Sequence, residues 1–263
     1  FNALPPWPSI YTRRSLASVC AKNFDPLGIV GPFGTYVKLF IRDVIQATSG
    51  WDDPIPESLR ERTERLRIEY GHLDKVRIPR CIITSSDYDV LGYADASADA
   101  YGSCIYLRDN ASKKKCLLIA KSKLVQEKRT MPELELAAAV QLVSLSAQVL
   151  KWMPRPNRVL YHTDSTITLQ RIQQPNINAQ SSYVAARVEH IRRHSPMEDW
   201  KHIAGKKNPA DLISRGVPLR RLLKKSEWFE GPPDTKEETQ ANYPVTMSIK
   251  ADAATEVTDD ERT

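Results

Sequence analysis

The first 75 residues show helical periodicity that is interrupted by chain breakers. Apolar residues recur at helical spacing over residues 12–23, with basic residues on the opposite side. The segment FDPLG at 24–28 breaks this helix, and a proline in the first turn begins a second helix over 32–44. GWDDPIP at 50–56 is another break, and a charged helix follows over 57–73. This pattern predicts a small helical segment without a catalytic constellation of its own.

Downstream of residue 78 the pattern changes to short apolar runs between turn-forming residues. Such runs predict β-strands, and the longer periodic segments among them predict helices. The predicted strands are 89–96, 103–108, 116–121, 158–162 and 200–203. The predicted helices are 132–150, 166–172, 183–193 and 210–214. Three successive strands followed by a helix indicate a meander at the edge of a sheet, so we expect an α/β fold with a mixed five-stranded sheet flanked by helices.

The helix that begins near Pro132 has clear start signals. Thr130 and Glu133 form the T-x-x-E pattern of a capping box, so we interpret Glu133 as a cap rather than a ligand. No charged residue occurs between Leu136 and Leu150, which is typical of a buried helix. Glu135 is the last charge before that run and is therefore expected near the buried face.

Four acidic residues stand in apolar or small-residue surroundings. They are Asp95 in LGYADAS, Glu135 in PELELAAA, Asp164 in LYHTDS and Asp211 in NPADLISRG. A carboxylate in such a place is costly unless it is paired or bound to a metal ion, so the four suggest a shared cation site. Simpler interpretations also exist. Asp95 and Glu135 are then solvated edge residues, Asp164 a helix cap, and Asp211 a charge at a helix N-terminus.

Charge is distributed unevenly along the 263 residues. The chain carries a net charge of +6, but residues from 234 onward contain eight acidic and three basic side chains, leaving about +11 for residues 1–233. This basic body fits either simple solubility or contact with a polyanion. The polar segment from residue 232 is expected to be disordered.

Cysteines and termini further restrict the class of protein. The four cysteines, Cys20, Cys81, Cys104 and Cys116, form no CxxC pair, which favours free thiols in a reducing compartment over zinc or disulfides. No apolar run approaches the roughly 20 residues of a membrane span, so we expect no membrane partner. The sequence begins FNALPPWPS, without a starting methionine or a signal peptide, and we expect a fragment or a piece of a polyprotein.

Short motifs occur in a fixed order through most of the chain. They are TRRSLAS, FDPLG, GWDDP, IPRCI, DAS with AYG, LLIAKSK, PELEL, TDS, and WKH followed by NPADLISRG. Together they resemble ribonuclease H, and more closely the reverse transcriptase–ribonuclease H region of BEL/Pao-type LTR retrotransposons, over about residues 10–232. At Glu133 this sequence is acidic where the resembled family is often basic.

The resemblance implies a ribonuclease H-like sheet and a two-cation hydrolase. In-line attack on a phosphodiester uses two cations, and Mg²⁺ prefers carboxylate oxygens. The resemblance implies that Asp95 bridges two Mg²⁺ ions, that Glu135 and Asp164 hold one, and that Asp211 holds the other. Mn²⁺ can substitute. The implied substrate is the RNA strand of an RNA–DNA hybrid, distinguished by its 2′-hydroxyls.

The same resemblance suggests further contacts and partners. The candidate nucleic-acid-binding residues are Ser97, Lys121, Lys123, Ser165 and Asn208. The other expected partners are the upstream reverse transcriptase and the downstream integrase parts of one polyprotein. The expected location is intracellular, in a cytoplasmic virus-like particle with a nuclear phase.

Basic residues are concentrated in two stretches, 113–129 and 220–225. Each is either a solvated face or a phosphate contact, and the second alternative would make affinity fall steeply with salt. His202 lies eight residues before Asp211 within a strand-like WKHI, so we interpret it as a strand residue and expect no mobile catalytic histidine.

Three segments and three functions follow from these observations. Residues 1–80 are assigned to a helical thumb- or connection-like segment, 84–220 to the ribonuclease H-like domain, and 221–263 to an acidic tail. A metal-dependent ribonuclease H is the leading hypothesis. The alternatives are a catalytically inactive, element-derived module that binds nucleic acid or protein, and a related nuclease of the integrase type.

Overall fold

One mixed sheet is the centre of the fold in the computed structural model, which describes residues 6–77, 87–153, 155–174 and 181–234. Its strands are β1 (Tyr88–Ala96), β2 (Ala100–Asp109), β3 (Lys115–Leu124), β4 (Arg158–Thr163) and β5 (Trp200–His202). Their order across the sheet is β3-β2-β1-β4-β5. The first three strands are an antiparallel meander, whereas β4 runs parallel to β1 and β5 parallel to β4. The predicted mixed five-stranded sheet is therefore confirmed.

Helices cover both faces of this sheet. They are α1 (Arg13–Ala21), α2 (Gly31–Ala47), α3 (Glu57–Tyr70), α4 (Met131–Trp152), α5 (Thr166–Gln173), α6 (Ser182–His194), α7 (Ala210–Arg215), α8 (Leu219–Leu222) and α9 (Ser226–Glu230). Because side chains alternate along a strand, Tyr93 and Tyr106 join one apolar cluster, while Val90 and Ile105 join the other. The first cluster packs against α1–α3 and α7–α9, and the second packs against α4–α6.

Helix α4 has the predicted cap and the predicted buried body. The Glu133 carboxylate accepts hydrogen bonds from the backbone nitrogen and the hydroxyl of Thr130, at 3.0 and 2.9 Å. Its apolar residues, from Leu134 to Val149, pack on β1, β2 and α6. Glu133 therefore acts as a helix cap in the structure.

Two expectations about the class of protein concern membranes and thiols. By length and composition alone α4 could span a membrane, but half of its most apolar window is buried within the fold. Cys20, Cys104 and Cys116 are free cysteines, whereas Cys81 lies outside the described residues, as does the IPRCI motif that contains it.

The predicted start of the tail at residue 221 is wrong, because residues up to Asp234 belong to the fold. The Trp228 side chain is 0% exposed, and its indole nitrogen donates to the Ile29 carbonyl at 2.8 Å. The Trp228 carbonyl accepts from the Tyr106 hydroxyl at 2.7 Å. Residues 235–263 lie outside the described residues, and the predicted boundary between residues 80 and 84 falls in the undescribed segment 78–86, so it stays a prediction.

Candidate metal centre

The topology of the sheet brings three of the four predicted carboxylates together. Ala94 of β1 is paired with Thr163 of β4 in parallel register, so the next residues, Asp95 and Asp164, lie side by side at one edge. Helix α4 crosses above them and contributes Glu135 from its second turn. One carboxylate oxygen from each of the three lies within 4.8 Å of the others. Among the residues that the structure describes, they form the group able to hold a metal ion, and we call it the carboxylate cluster.

Burial and mutual repulsion make the ionised cluster unfavourable by itself. Desolvation, followed by the charges of Asp164 and Asp211, raises the pKa of Asp95 to about 7. Desolvation, followed by the charges of Asp95 and Asp164, raises the pKa of Glu135 to about 8. A nearby opposite charge would reverse both effects, because it favours the ionised form.

The cluster also has an oxygen without a hydrogen-bond partner. The Oε2 atom of Glu135 is buried and accepts no hydrogen bond. Leaving a buried carboxylate oxygen unpaired is costly, so the group either stays protonated or meets a cation. An all-oxygen donor set suits a hard divalent cation such as Mg²⁺. The three carboxylates therefore fit a hard divalent cation of the kind that the sequence predicts.

A serine that the sequence analysis missed holds Asp95. The fully buried Ser214 hydroxyl donates to Asp95 Oδ2, and this hydrogen bond lowers the pKa of Asp95. Ser97 lies behind it, with its hydroxyl 2.8 Å from the Ser214 carbonyl oxygen and 3.0 Å from that of Ala100. The sequence spacing could have identified Ser214 as part of the site, because it is three residues after Asp211 and lies on the same face of the helix.

Asp211 lies beside the carboxylate cluster but is not one of its members. It stands in the first turn of α7, close enough to raise the pKa of Asp95. Its Oδ1 atom is bonded to Nε of Arg215 one turn later, and the two side chains are 37% and 66% exposed. The sequence predicts Asp211 in the shared site, and in the structure its side chain is paired with Arg215.

Asn208, which is predicted to contact nucleic acid, has hydrogen-bond partners within the fold. It is 4% exposed, and its Nδ2 atom donates to the Ala94 carbonyl at 3.0 Å and to Asp164 Oδ1 at 3.4 Å. Its Oδ1 atom accepts from the Ala210 nitrogen at 3.1 Å. Asn208 therefore ties the start of α7 to β1 and Asp164, because its amide group is used within the fold.

The other predicted nucleic-acid residues differ in exposure. Lys121 and Lys123 are exposed on the edge strand β3, where they are accessible to a polyanion. Ser165 is the N-cap of α5 and accepts from the Thr168 nitrogen at 3.1 Å. His202 is exposed at the end of β5 and paired in register with Thr163, which confirms its interpretation as a strand residue.

A family model described as "Pao retrotransposon-like RNaseH-like domain" matches residues 12–165, a range that includes the three clustered carboxylates and ends before Asp211. No curated protein matches the chain.

Several solved structures are similar to parts of the chain. RNase H1 from the archaeon Halobacterium salinarum is 10% identical, covers 48% of this chain and 93% of its own, and has a TM-score of 0.36. LC11-RNase H1, isolated from compost by a metagenomic approach and solved with an RNA/DNA hybrid, is 15% identical, with 52% and 99% covered and a TM-score of 0.37. The foamy viral protease-reverse transcriptase, solved with double-stranded DNA, is 15% identical, with 74% and 32% covered and a TM-score of 0.44.

Proposed function

Because this chain belongs to the Pao retrotransposon-like RNase H-like domain family, we propose that it is a metal-dependent ribonuclease H that hydrolyses the RNA strand of RNA–DNA hybrids. The observation that carries this proposal is the carboxylate cluster of Asp95, Glu135 and Asp164, at the ends of two adjacent parallel strands. The RNA–DNA hybrid that the protein would cut would be produced during reverse transcription. The proposed partners are the reverse transcriptase and integrase parts of one polyprotein, within a cytoplasmic particle.

Each side chain has a distinct part in this proposal. Asp95, Glu135 and Asp164 would hold Mg²⁺ or Mn²⁺, with Asp211 available as a fourth ligand. When bound, the cations supply Lewis-acid stabilisation of the charge that develops during in-line attack on the phosphodiester. Ser214 fixes the orientation of the Asp95 carboxylate, because its hydroxyl donates a hydrogen bond to one of the two carboxylate oxygens.

The surroundings of the cluster favour a polyanionic substrate. Lys121 and Lys123 are exposed on β3, and Lys38 of α2 reaches the same strand, where its amino group donates to Ser122. Burial, followed by the charge of Lys121, lowers the pKa of Lys38, so the positive charges along this edge repel one another. Phosphates would relieve that repulsion, and hybrid affinity should therefore fall steeply with salt.

A non-catalytic nucleic-acid-binding module is the second candidate. The observation that favours it is the pairing of Asp211 with Arg215, which leaves three clustered carboxylates rather than four. Such a module would bind the hybrid tightly without divalent cations and would not cut it.

The test is cleavage of an RNA–DNA hybrid labelled on either strand. We expect the RNA strand to be cut with Mg²⁺, not with EDTA, and not by an Asp95→Asn variant that retains its folded circular dichroism spectrum. Asp199→Asn is the control, since Asp199 is a half-buried aspartate whose pKa is also raised and which lies outside the cluster. Equal rates for Asp95→Asn and the wild type would refute the proposal. Salt-sensitive binding without cutting would favour the binding module, and transfer of DNA strands would indicate the integrase type.

A further inference from the structure

Asp211 and Arg215 form an ion pair at the margin of the carboxylate cluster. The two residues are one helical turn apart on α7, with the aspartate nearer the N-terminus, which is a favourable arrangement for such a pair. The guanidinium remains charged at any working pH. Its positive charge reaches the cluster, since it lowers the pKa of Asp95.

Asp211 is also close enough to the cluster to help bind a cation there. Its charge raises the pKa of Asp95, and its backbone carbonyl oxygen lies 3.1 Å from the oxygen of the Ser214 hydroxyl that donates to Asp95. Asp211 therefore has two competing partners, which are Arg215 and any cation that enters beside Asp95. A single carboxylate oxygen cannot be fully engaged by a guanidinium and by a divalent cation at once, because the two positive charges repel each other.

We propose that Arg215 is a positioning residue that holds Asp211 away from the carboxylate cluster, so that the protein without nucleic acid binds one divalent cation well and a second one weakly. This inference rests on the proposed function, because it takes the cluster to be a cation site. It goes further in assigning unequal affinities to two cations and in naming the side chain that causes the difference. The exposed pair is weak enough to exchange, so the second position remains accessible at higher cation concentration.

The test is isothermal titration calorimetry, in which Mn²⁺ is added to the full chain in the absence of nucleic acid. We expect the wild type to show one well-defined site and a second that is much weaker. In Arg215→Gln the second site should tighten by about fivefold, because an exposed ion pair of this kind is worth up to about that factor. Arg215→Lys, which keeps the positive charge, should have the same two Mn²⁺ affinities as the wild type. Asp211→Asn should lose the second site and keep the first.

A matched control is available on another helix. Arg193 of α6 forms the same type of exposed pair, four residues after Glu189. Arg193→Gln should leave both Mn²⁺ affinities unchanged, and thermal unfolding of each variant would show that it is folded. An unchanged second site in Arg215→Gln would overturn this inference while leaving the proposed function intact. Absence of any Mn²⁺ binding in the wild type and in Arg215→Gln would overturn the cation site itself, and with it both proposals.

Discussion

Without divalent cations, the protein should lose stability as the pH rises from about 4 to about 8, and Mg²⁺ should remove most of that loss. The reason is the pKa of two clustered carboxyl groups. Asp95 has a folded pKa of about 7 against an ordinary 3.8, and Glu135 one of about 8 against 4.5. Between these values the folded state retains protons that the unfolded state has released. The free energy of unfolding therefore falls as the pH rises through this window.

The structure sets the scale of this effect. A shift of about three pKa units corresponds to about 4 kcal/mol, at roughly 1.4 kcal/mol per unit. Desolvation is the largest cause of both shifts, and the repulsion between Asp95 and Glu135 contributes only to the shift of Glu135. About 4 kcal/mol is therefore the scale for each group, a large share of the roughly 5–15 kcal/mol that stabilises a typical domain. A bound cation favours both ionised forms and so offsets this loss.

The assay is urea unfolding at several pH values, in EDTA and in excess Mg²⁺. We expect the two stability curves to converge near pH 4 and to diverge towards pH 8. Glu135→Gln should flatten the EDTA curve and reduce the effect of Mg²⁺. Asp199→Asn should remove only its own contribution near pH 6, because its pKa is about 6 and it is not part of the cluster. Parallel curves in EDTA and Mg²⁺, or an unaltered slope in Glu135→Gln, would contradict the reasoning.

Two further predictions concern the fold and the site. Trp228→Ala should cost about 3–5 kcal/mol in urea unfolding, because this fully buried side chain also loses its bond to the Ile29 carbonyl. Trp152→Ala, at a side chain that is 85% exposed, should change stability by less than about 0.5 kcal/mol. Ser214→Ala removes a hydrogen bond that lowers the pKa of Asp95, so the acidic limb of the pH–rate profile for hybrid cleavage should move up by about one pH unit. An unmoved profile would show that this hydrogen bond does not tune the site.

The sheet and the carboxylate cluster could be predicted because their signals are local and periodic. The strand pattern gave the order of elements, and the T-x-x-E pattern located the start of α4 and hence the position of Glu135. Asp95 and Asp164 then meet because adjacent parallel strands end at the same edge. The backbone positions of Asp95, Glu135 and Asp164 thus follow from the strand and helix pattern, which the sequence specifies well.

The side-chain partners of the site could not be predicted, because they depend on competition between side chains. The pattern of apolar and polar positions along the sequence does not show which partner wins. Whether Asp211 faces the cluster or Arg215 depends on one ion pair at helical spacing. Asn208 looks like a loop residue in sequence, and only the fold shows that its amide joins two elements. Trp228 and the adjacent Phe229 lie in a polar stretch without periodicity, so the burial of Trp228 could not be anticipated.

The N-terminal helices help to hold α7, the helix that carries Asp211 and Ser214. A methyl group added at Gly102 of β2 would lie 2.6 Å from Ile213 of α7, and one added at Gly31 of α2 would lie 2.8 Å from the same side chain. Ile213 is therefore wedged between the sheet and α2, because glycine alone leaves room for it on both sides. Immediately after α7, the Val217 nitrogen donates to the Pro32 carbonyl at 3.0 Å. A domain boundary drawn between residues 77 and 87 would thus separate α7 from α2, which packs against it. The position of the hydroxyl that orients Asp95 depends on both segments.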